Sequence, residues 1–98
     1  MLPPVAADSQ PVWHLYPIRT ADPVALADFL RESGIGTGRH YPEPPHLSEA
    51  YRGLGLTAGS FPVTESLARE VLSLPVFPGL TQQQLDAVAT GVRAYFDR

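Results

Sequence analysis

The residues of this chain best suited to chemistry sit in one stretch, GIGTGRHYPEPPHL, from Gly34 to Leu47. His40 and Tyr41 there lead into a loop stiffened by Pro42, Pro44 and Pro45, with His46 at its far side. Proline fixes φ and lowers the entropy a loop loses on ordering, so such a loop holds an imidazole, a phenol and a second imidazole in nearly constant relation. That set suits hydrogen bonding and stacking around a bound molecule. Covalent amine chemistry is excluded: the sequence contains no lysine, and all 7 of its basic residues are arginine. Arginine stays protonated and forms no Schiff base.

Other chemistries fit the spacing less well. His14, His40 and His46, with Glu43 and Glu49 nearby, raise the question of zinc, but there is no H-E-x-x-H helix and prolines separate the two loop histidines, so no metal site is expected. His14 is expected to be a structural imidazole, hydrogen-bonded within a half-buried strand. GIGTG resembles a phosphate-cradling run, yet it leaves a helix and enters a strand, the reverse of the dinucleotide fingerprint. Its glycines are better used as a helix stop and for close packing. Ser48, Ser60, Ser66 and Ser73 lie in no G-x-S-x-G elbow, which argues against a Ser-His-Asp hydrolase.

Elements that could carry the loop follow from pattern. Residues 1–11, with Pro3, Pro4 and Pro11, read as an extended lead-in or linker, and 12–98 as one small domain. Val12–Arg19 reads as a strand whose two faces are both largely apolar. Asp22 followed by Pro23 is a helix start, with Leu26, Phe29 and Leu30 as its apolar stripe. Gly34 ends that helix, with Leu30 and Ile35 as the hydrophobic pair of a Schellman cap. A short second strand is expected over Thr37–Tyr41, ended by Pro42. Ser48–Gly59 allows one helical turn and is otherwise loop. A helix opened by Ser60 and Pro62 is expected to run through Leu72, with a third strand over Leu74–Phe77. Thr81 and Gln84 form a capping box for a helix reaching the end of the sequence, in which Gly91 costs about 1 kcal/mol relative to alanine. The expected fold is α+β, a small three-stranded sheet with about three helices.

With 98 residues, 44% hydrophobic and 17% charged, the chain has an ordinary globular composition. A net charge of -3 without a basic stripe argues against nucleic acid or an anionic membrane as partner. The absence of cysteine, of a signal-like start and of a long apolar run makes the cytoplasm the expected location.

The segments WHLYPIR (Trp13–Arg19), GIGTGRHYPEPPHLSEAY (Gly34–Tyr51) and FPVTESLAREVLSLPVFPGLT (Phe61–Thr81), with the closing helix, resemble the C-terminal small domain of the DegT/DnrJ/StrS family of pyridoxal-phosphate-dependent sugar aminotransferases. The resemblance implies a fold-type I architecture, in which a large domain holds the cofactor and this smaller one closes over the site. It implies amino transfer, typically from glutamate, to a keto group on a nucleotide-linked sugar. It also implies that His40 and Tyr41 lie at the mouth of the substrate pocket with His46 beside them. These three are the expected substrate-binding residues. The lysine that anchors the cofactor and the acidic partner of its pyridinium nitrogen belong to the large domain of the family. No catalytic or cofactor-binding residue is therefore expected among these 98, and alone they are expected to be inactive and to bind no pyridoxal phosphate covalently. The expected partners are a large cofactor-binding domain or an intact aminotransferase subunit, a nucleotide-sugar and, through self-association, a second copy. Two uses remain open: the substrate side of a truncated or split aminotransferase, or a non-catalytic interaction module or gene remnant that associates with an intact one. A detached domain exposes the face that packs on its neighbour. Trp13, Leu15, Tyr41 and Phe77 are the candidates for that surface.

Overall fold

The computed structural model describes residues 1–98. Two four-residue strands, β1 (Tyr16–Arg19) and β2 (Val71–Leu74), form an antiparallel pair with Tyr16 opposite Leu74 and Arg19 opposite Val71. Helix α1 (Pro23–Glu32) follows β1, helix α2 (Pro62–Glu70) precedes β2, and α3 (Gln82–Phe96) follows it. Between α1 and α2 the chain makes two 3₁₀ turns, Pro45–Leu47 and Glu49–Leu54.

The class is α+β as expected, but the sheet has two strands and not three. The expected strand over Thr37–Tyr41 is reduced to one bridge, in which Gly38 N–H donates to Ser73 O (3.1 Å) and Ser73 N–H to Gly38 O (2.7 Å). The register explains why Ser73 is free to do this. It lies opposite Pro17 at a position where β2 turns its N–H and C=O away from β1, so Pro17 also removes no ladder bond. The expected strand over Leu74–Phe77 begins earlier, at Val71, because α2 stops at Glu70 and not at Leu72. The strand expected over Val12–Arg19 begins only at Tyr16; Trp13 has φ 44°, which breaks the extended run. His14 consequently lies outside the strand, exposed to solvent. Residues 1–11 have no regular structure apart from a turn, and Met1 runs beside β1, with its N donating to Arg19 O (2.7 Å) and Arg19 N–H donating to Met1 O (2.9 Å).

Alternation along the strands divides the sheet into two faces. Ile18 and Leu72, with Tyr16 and Leu74 beside them, pack against Leu26 and Leu30 of α1, and Val92 and Tyr95 of α3 close the cluster. Leu26, Leu30 and Leu72 have no exposed surface. Local signals fix both covering helices. Asp22 Oδ1 accepts from Ala25 N–H (2.9 Å), and the Schellman cap forms as expected, Ile35 N–H donating to Leu30 O (3.0 Å) and Gly34 N–H to Arg31 O (2.9 Å) with Gly34 at φ 74°. The capping box forms too, Gln84 N–H donating to Thr81 Oγ1 (3.2 Å) and Thr81 N–H to Gln84 Oε1 (3.0 Å). Gly91 lets α3 approach closely, since a Cβ there would stand 3.0 Å from both Leu30 Cδ2 and Ile35 Cδ1.

The molecule is open for its mass. It exposes 7055 Å², where a chain of 10.6 kDa folded as a lone monomer exposes about 5,500 Å². Its radius of gyration is 15.6 Å, against about 12.6 Å for a compact domain of this length. No helix is long and apolar enough to cross a membrane.

Candidate functional site

The second face of the sheet carries Pro17, Arg19, Val71 and Ser73, and α2 and residues 39–45 border it. A groove of about 420 Å³ opens here, bounded by His40, Tyr41 and Glu43 on one side and by Thr64 and Leu67 of α2 on the other, with Pro17 and Val71 from the strands. Tyr41 is 71% exposed at its rim, and its ring meets His40 edge-on at 5.4 Å between centroids. The peptide joining these two residues is cis.

His40 is held from behind. Its Nδ1 lies 3.0 Å from Ser73 Oγ, and Ser73 is 4% exposed. The ring folds back over Gly38, where a Cβ would stand 2.6 Å from His40 Cε1. Only glycine leaves that space.

His46 does not join His40 and Tyr41. It is buried, its Nε2 sits 2.9 Å from Glu65 Oε1, and its ring meets Phe61 edge-on. Glu65 is buried as well and reaches back from α2 to accept from Gly59 N–H (2.8 and 3.0 Å) and Phe61 N–H (3.3 Å). The hydrogen bond from His46, helped by the two backbone N–H groups, holds the Glu65 carboxyl below its ordinary range despite burial. These contacts tie the loop and the Gly59–Phe61 backbone to the first turn of α2, where Phe61 at the cap position offers no side-chain cap.

Arg39, next to His40, is bonded to α2 and not to Ser73. Its guanidinium donates to Ala68 O (2.5 Å) and Arg69 O (3.2 Å), which satisfies carbonyls at the C-terminus of α2 where the helix dipole favours a cation. Arg19 grips Glu70 through Nε (2.9 Å) and Nη2 (2.6 Å), and Ser66 Oγ–H donates to the other carboxylate oxygen (2.7 Å). The Ser66 hydroxyl first and Arg19 second hold Glu70 below the ordinary carboxylate value. Sequence reasoning did not single out Glu65, Glu70 or Ser73 as partners. Each bonds a residue at least 19 positions away in the chain, and no local pattern marks such pairs.

The groove can orient a ligand through hydrogen bonding at His40 and ring packing at Tyr41. It does not fit a pyridoxal phosphate site. The sequence has no lysine to anchor that cofactor, and the ionisable groups on the groove are His40, Tyr41 and Glu43, of which the carboxylate would repel a phosphate. No cluster of side chains is arranged to hold a metal ion.

The four residues expected to form one docking surface are dispersed. Tyr41 borders the groove, whereas Leu15 and Phe77 line a separate depression with His14 and the other side of His40. Trp13 packs on Tyr16 at 4.8 Å and lines an apolar cavity of about 380 Å³ beside Leu85, Val88 and Val92 of α3.

Comparison with known proteins is consistent with this architecture. The model of the DegT/DnrJ/EryC1/StrS aminotransferase family matches residues 1–93. The dTDP-3-amino-3,4,6-trideoxy-alpha-D-glucose transaminase of Streptomyces venezuelae is 46% identical over 97 residues, covering 99% of this chain and 26% of its own length. The erythromycin biosynthesis sensory transduction protein EryC1 of Saccharopolyspora erythraea is 49% identical over 88 residues, 90% of this chain and 24% of its own. Among solved structures, S. venezuelae DesV in complex with a ketimine intermediate superposes with a TM-score of 0.94 at 46% identity, over 99% of this chain and 26% of that one. A DegT DnrJ EryC1 StrS aminotransferase from Brucella abortus gives 0.89 at 30%, with the same coverage of each chain. The chain thus spans about a quarter of the length of the curated relatives it matches.

Proposed function

This chain belongs to the DegT/DnrJ/EryC1/StrS aminotransferase family, and on that premise we propose that it forms the substrate-side wall of an aminotransferase acting on a nucleotide-linked keto-sugar. The observation that carries the reading is the groove on the second face of the sheet, where His40 and Tyr41 stand on a loop fixed from behind by Ser73 and by the His46–Glu65 pair. His40 hydrogen-bonds an oxygen of the sugar or its diphosphate, and Tyr41 packs against a ring face. His46 contributes by holding the loop and touches no substrate.

The covalent chemistry comes from elsewhere. Pyridoxal phosphate in this family requires a lysine, and none of these 98 residues is one. The reading therefore requires a lysine-bearing large domain, on the same polypeptide or another, and the surface in excess of a lone monomer's supports such a neighbour. That same excess also favours a second reading, a non-catalytic module that associates with an intact aminotransferase.

A chimera separates the two. The corresponding quarter of the S. venezuelae transaminase is replaced by this chain, to which it is 46% identical, and amino transfer to a dTDP-keto-sugar is assayed. Turnover, with a sugar KM that rises on His40→Ala, is the expected result. A folded, cofactor-loaded chimera without turnover sinks the substrate-wall reading and leaves the interaction module.

A further inference from the structure

We propose that Ser73 is a positioning residue that fixes the tautomer of His40, so that Nε2 carries the proton and presents an N–H donor for an acceptor oxygen of the ligand. Two observations and the chemistry of a neutral imidazole converge on this. Ser73 is 4% exposed, and a hydroxyl so far withdrawn from solvent needs an acceptor for its proton within the fold. The one partner of its Oγ is His40 Nδ1, at 3.0 Å. A neutral imidazole has one donor and one acceptor nitrogen, so Nδ1 accepts from the Ser73 hydroxyl and the proton of the ring resides on Nε2.

Gly38 completes the device. It clamps the Ser73 backbone through two hydrogen bonds, Gly38 N–H to Ser73 O at 3.1 Å and Ser73 N–H to Gly38 O at 2.7 Å. Its missing Cβ is also the space the His40 ring occupies to reach the hydroxyl, since a Cβ would stand 2.6 Å from Cε1. One residue thus fixes where Ser73 is and lets His40 come to it. His40 Nε2 makes no hydrogen bond within the chain, and the ring lines the groove. A donor held this way selects for ligands that offer a hydroxyl, carbonyl or phosphate oxygen and discriminates against an ammonium or other donor-only group at that position.

The use of this donor rests on the reading of the groove as a substrate wall, but the tautomer does not, and it is measured on the 98-residue chain itself. Histidine-labelled protein is examined by long-range proton–nitrogen NMR near pH 8, where an ordinary imidazole is about 95% or more neutral. His14 and His46 serve as internal references. The expected spectrum shows His40 with a protonated Nε2 and an unprotonated Nδ1. Ser73→Ala is expected to move the His40 nitrogens towards a mixture of tautomers and to leave the His46 pattern, set by Glu65, in place. Gly38→Ala is expected to do the same by displacing the ring. A wild-type His40 protonated on Nδ1 overturns the proposal whatever the variants do. So does a His40 signal that Ser73→Ala leaves unmoved while His46 reports an intact fold. Should the tautomer be as proposed while His40→Ala leaves the kinetics of the chimera untouched, the substrate-wall reading fails and the assignment of Ser73 stands.

Discussion

The two faces of the same short sheet are held by different physics. On one, Tyr16, Ile18, Leu72 and Leu74 bury apolar surface against α1 and α3. On the other, Arg19 and Ser73 hold their partners by hydrogen bonds, Arg19 to Glu70 and Ser73 to His40, while Pro17 and Val71 floor an open groove. Hydrophobic burial is non-directional and tolerates small shifts. Hydrogen bonds fix distances and angles, and a shifted imidazole loses its partner. The first face supplies stability and the second supplies geometry, with alternation along four-residue strands keeping the two apart.

If that division is right, damage to the first face should be large and unselective. Leu30→Ala removes a fully buried side chain and is expected to cost about 2–5 kcal/mol, read as a lowered thermal midpoint with all elements lost together. A loss confined to α1, with β2 and the His40 loop still protected from hydrogen exchange, would break the comparison.

On the second face, pH is the sharper tool. Glu65 and Glu70 are both held below the ordinary value of 4.5 in the folded chain. Between that value and their lowered ones the unfolded chain binds more protons than the folded one, so stability rises with pH in this window. Their contribution is complete above about 4.5 and is lost as pH falls through the folded values. Chemical denaturation at a series of pH values should show this slope, and Glu65→Gln should flatten it. An unchanged slope in Glu65→Gln would mean that the carboxylate is not what ties the loop to α2.

Smaller effects are expected at the helix ends. Arg39→Met removes the cation from the C-terminal carbonyls of α2 and should cost about 1 kcal/mol at low salt, less as salt screens the dipole. Asp22→Ala removes the N-cap of α1 at about 1 kcal/mol, with little dependence on the groove and no change in the NMR signals of His40. Movement of His40 in that variant would couple two faces that the structure keeps separate.

The first face was legible in the sequence because its determinants are local. Asp22 before Pro23, Gly34 after Leu30, and Thr81 three residues before Gln84 specify helix ends within a turn of themselves, and all three caps form. The second face was less so. The Val71–Leu72 pair continues the apolar spacing of α2 and carries no proline or glycine, so pattern alone extends the helix. What stops it at Glu70 is contact from far along the chain, Arg39 on the Ala68 and Arg69 carbonyls and Thr20 N–H donating to Glu70 O (3.0 Å). The strand expected over Thr37–Tyr41 fails for a related reason: Gly38 satisfies both outward groups of Ser73, and Pro42 follows too soon for a second pair. His46 shows the same limit. Its place among prolines and beside His40 and Tyr41 suggested a shared pocket, and only the partner 19 residues on, Glu65, reveals it as a buried tie.

The central claim is that His40 faces a ligand and His46 does not. Its most direct measurement is steady-state kinetics of the chimera carrying His40→Ala, at saturating amino donor, set beside a thermal melt of the same variant. The account predicts a sugar KM raised by about 2-fold to 150-fold, the span of a lost pocket hydrogen bond, with the thermal midpoint and cofactor occupancy held. Wild-type kinetics, or activity lost only in proportion to folded protein, would contradict it.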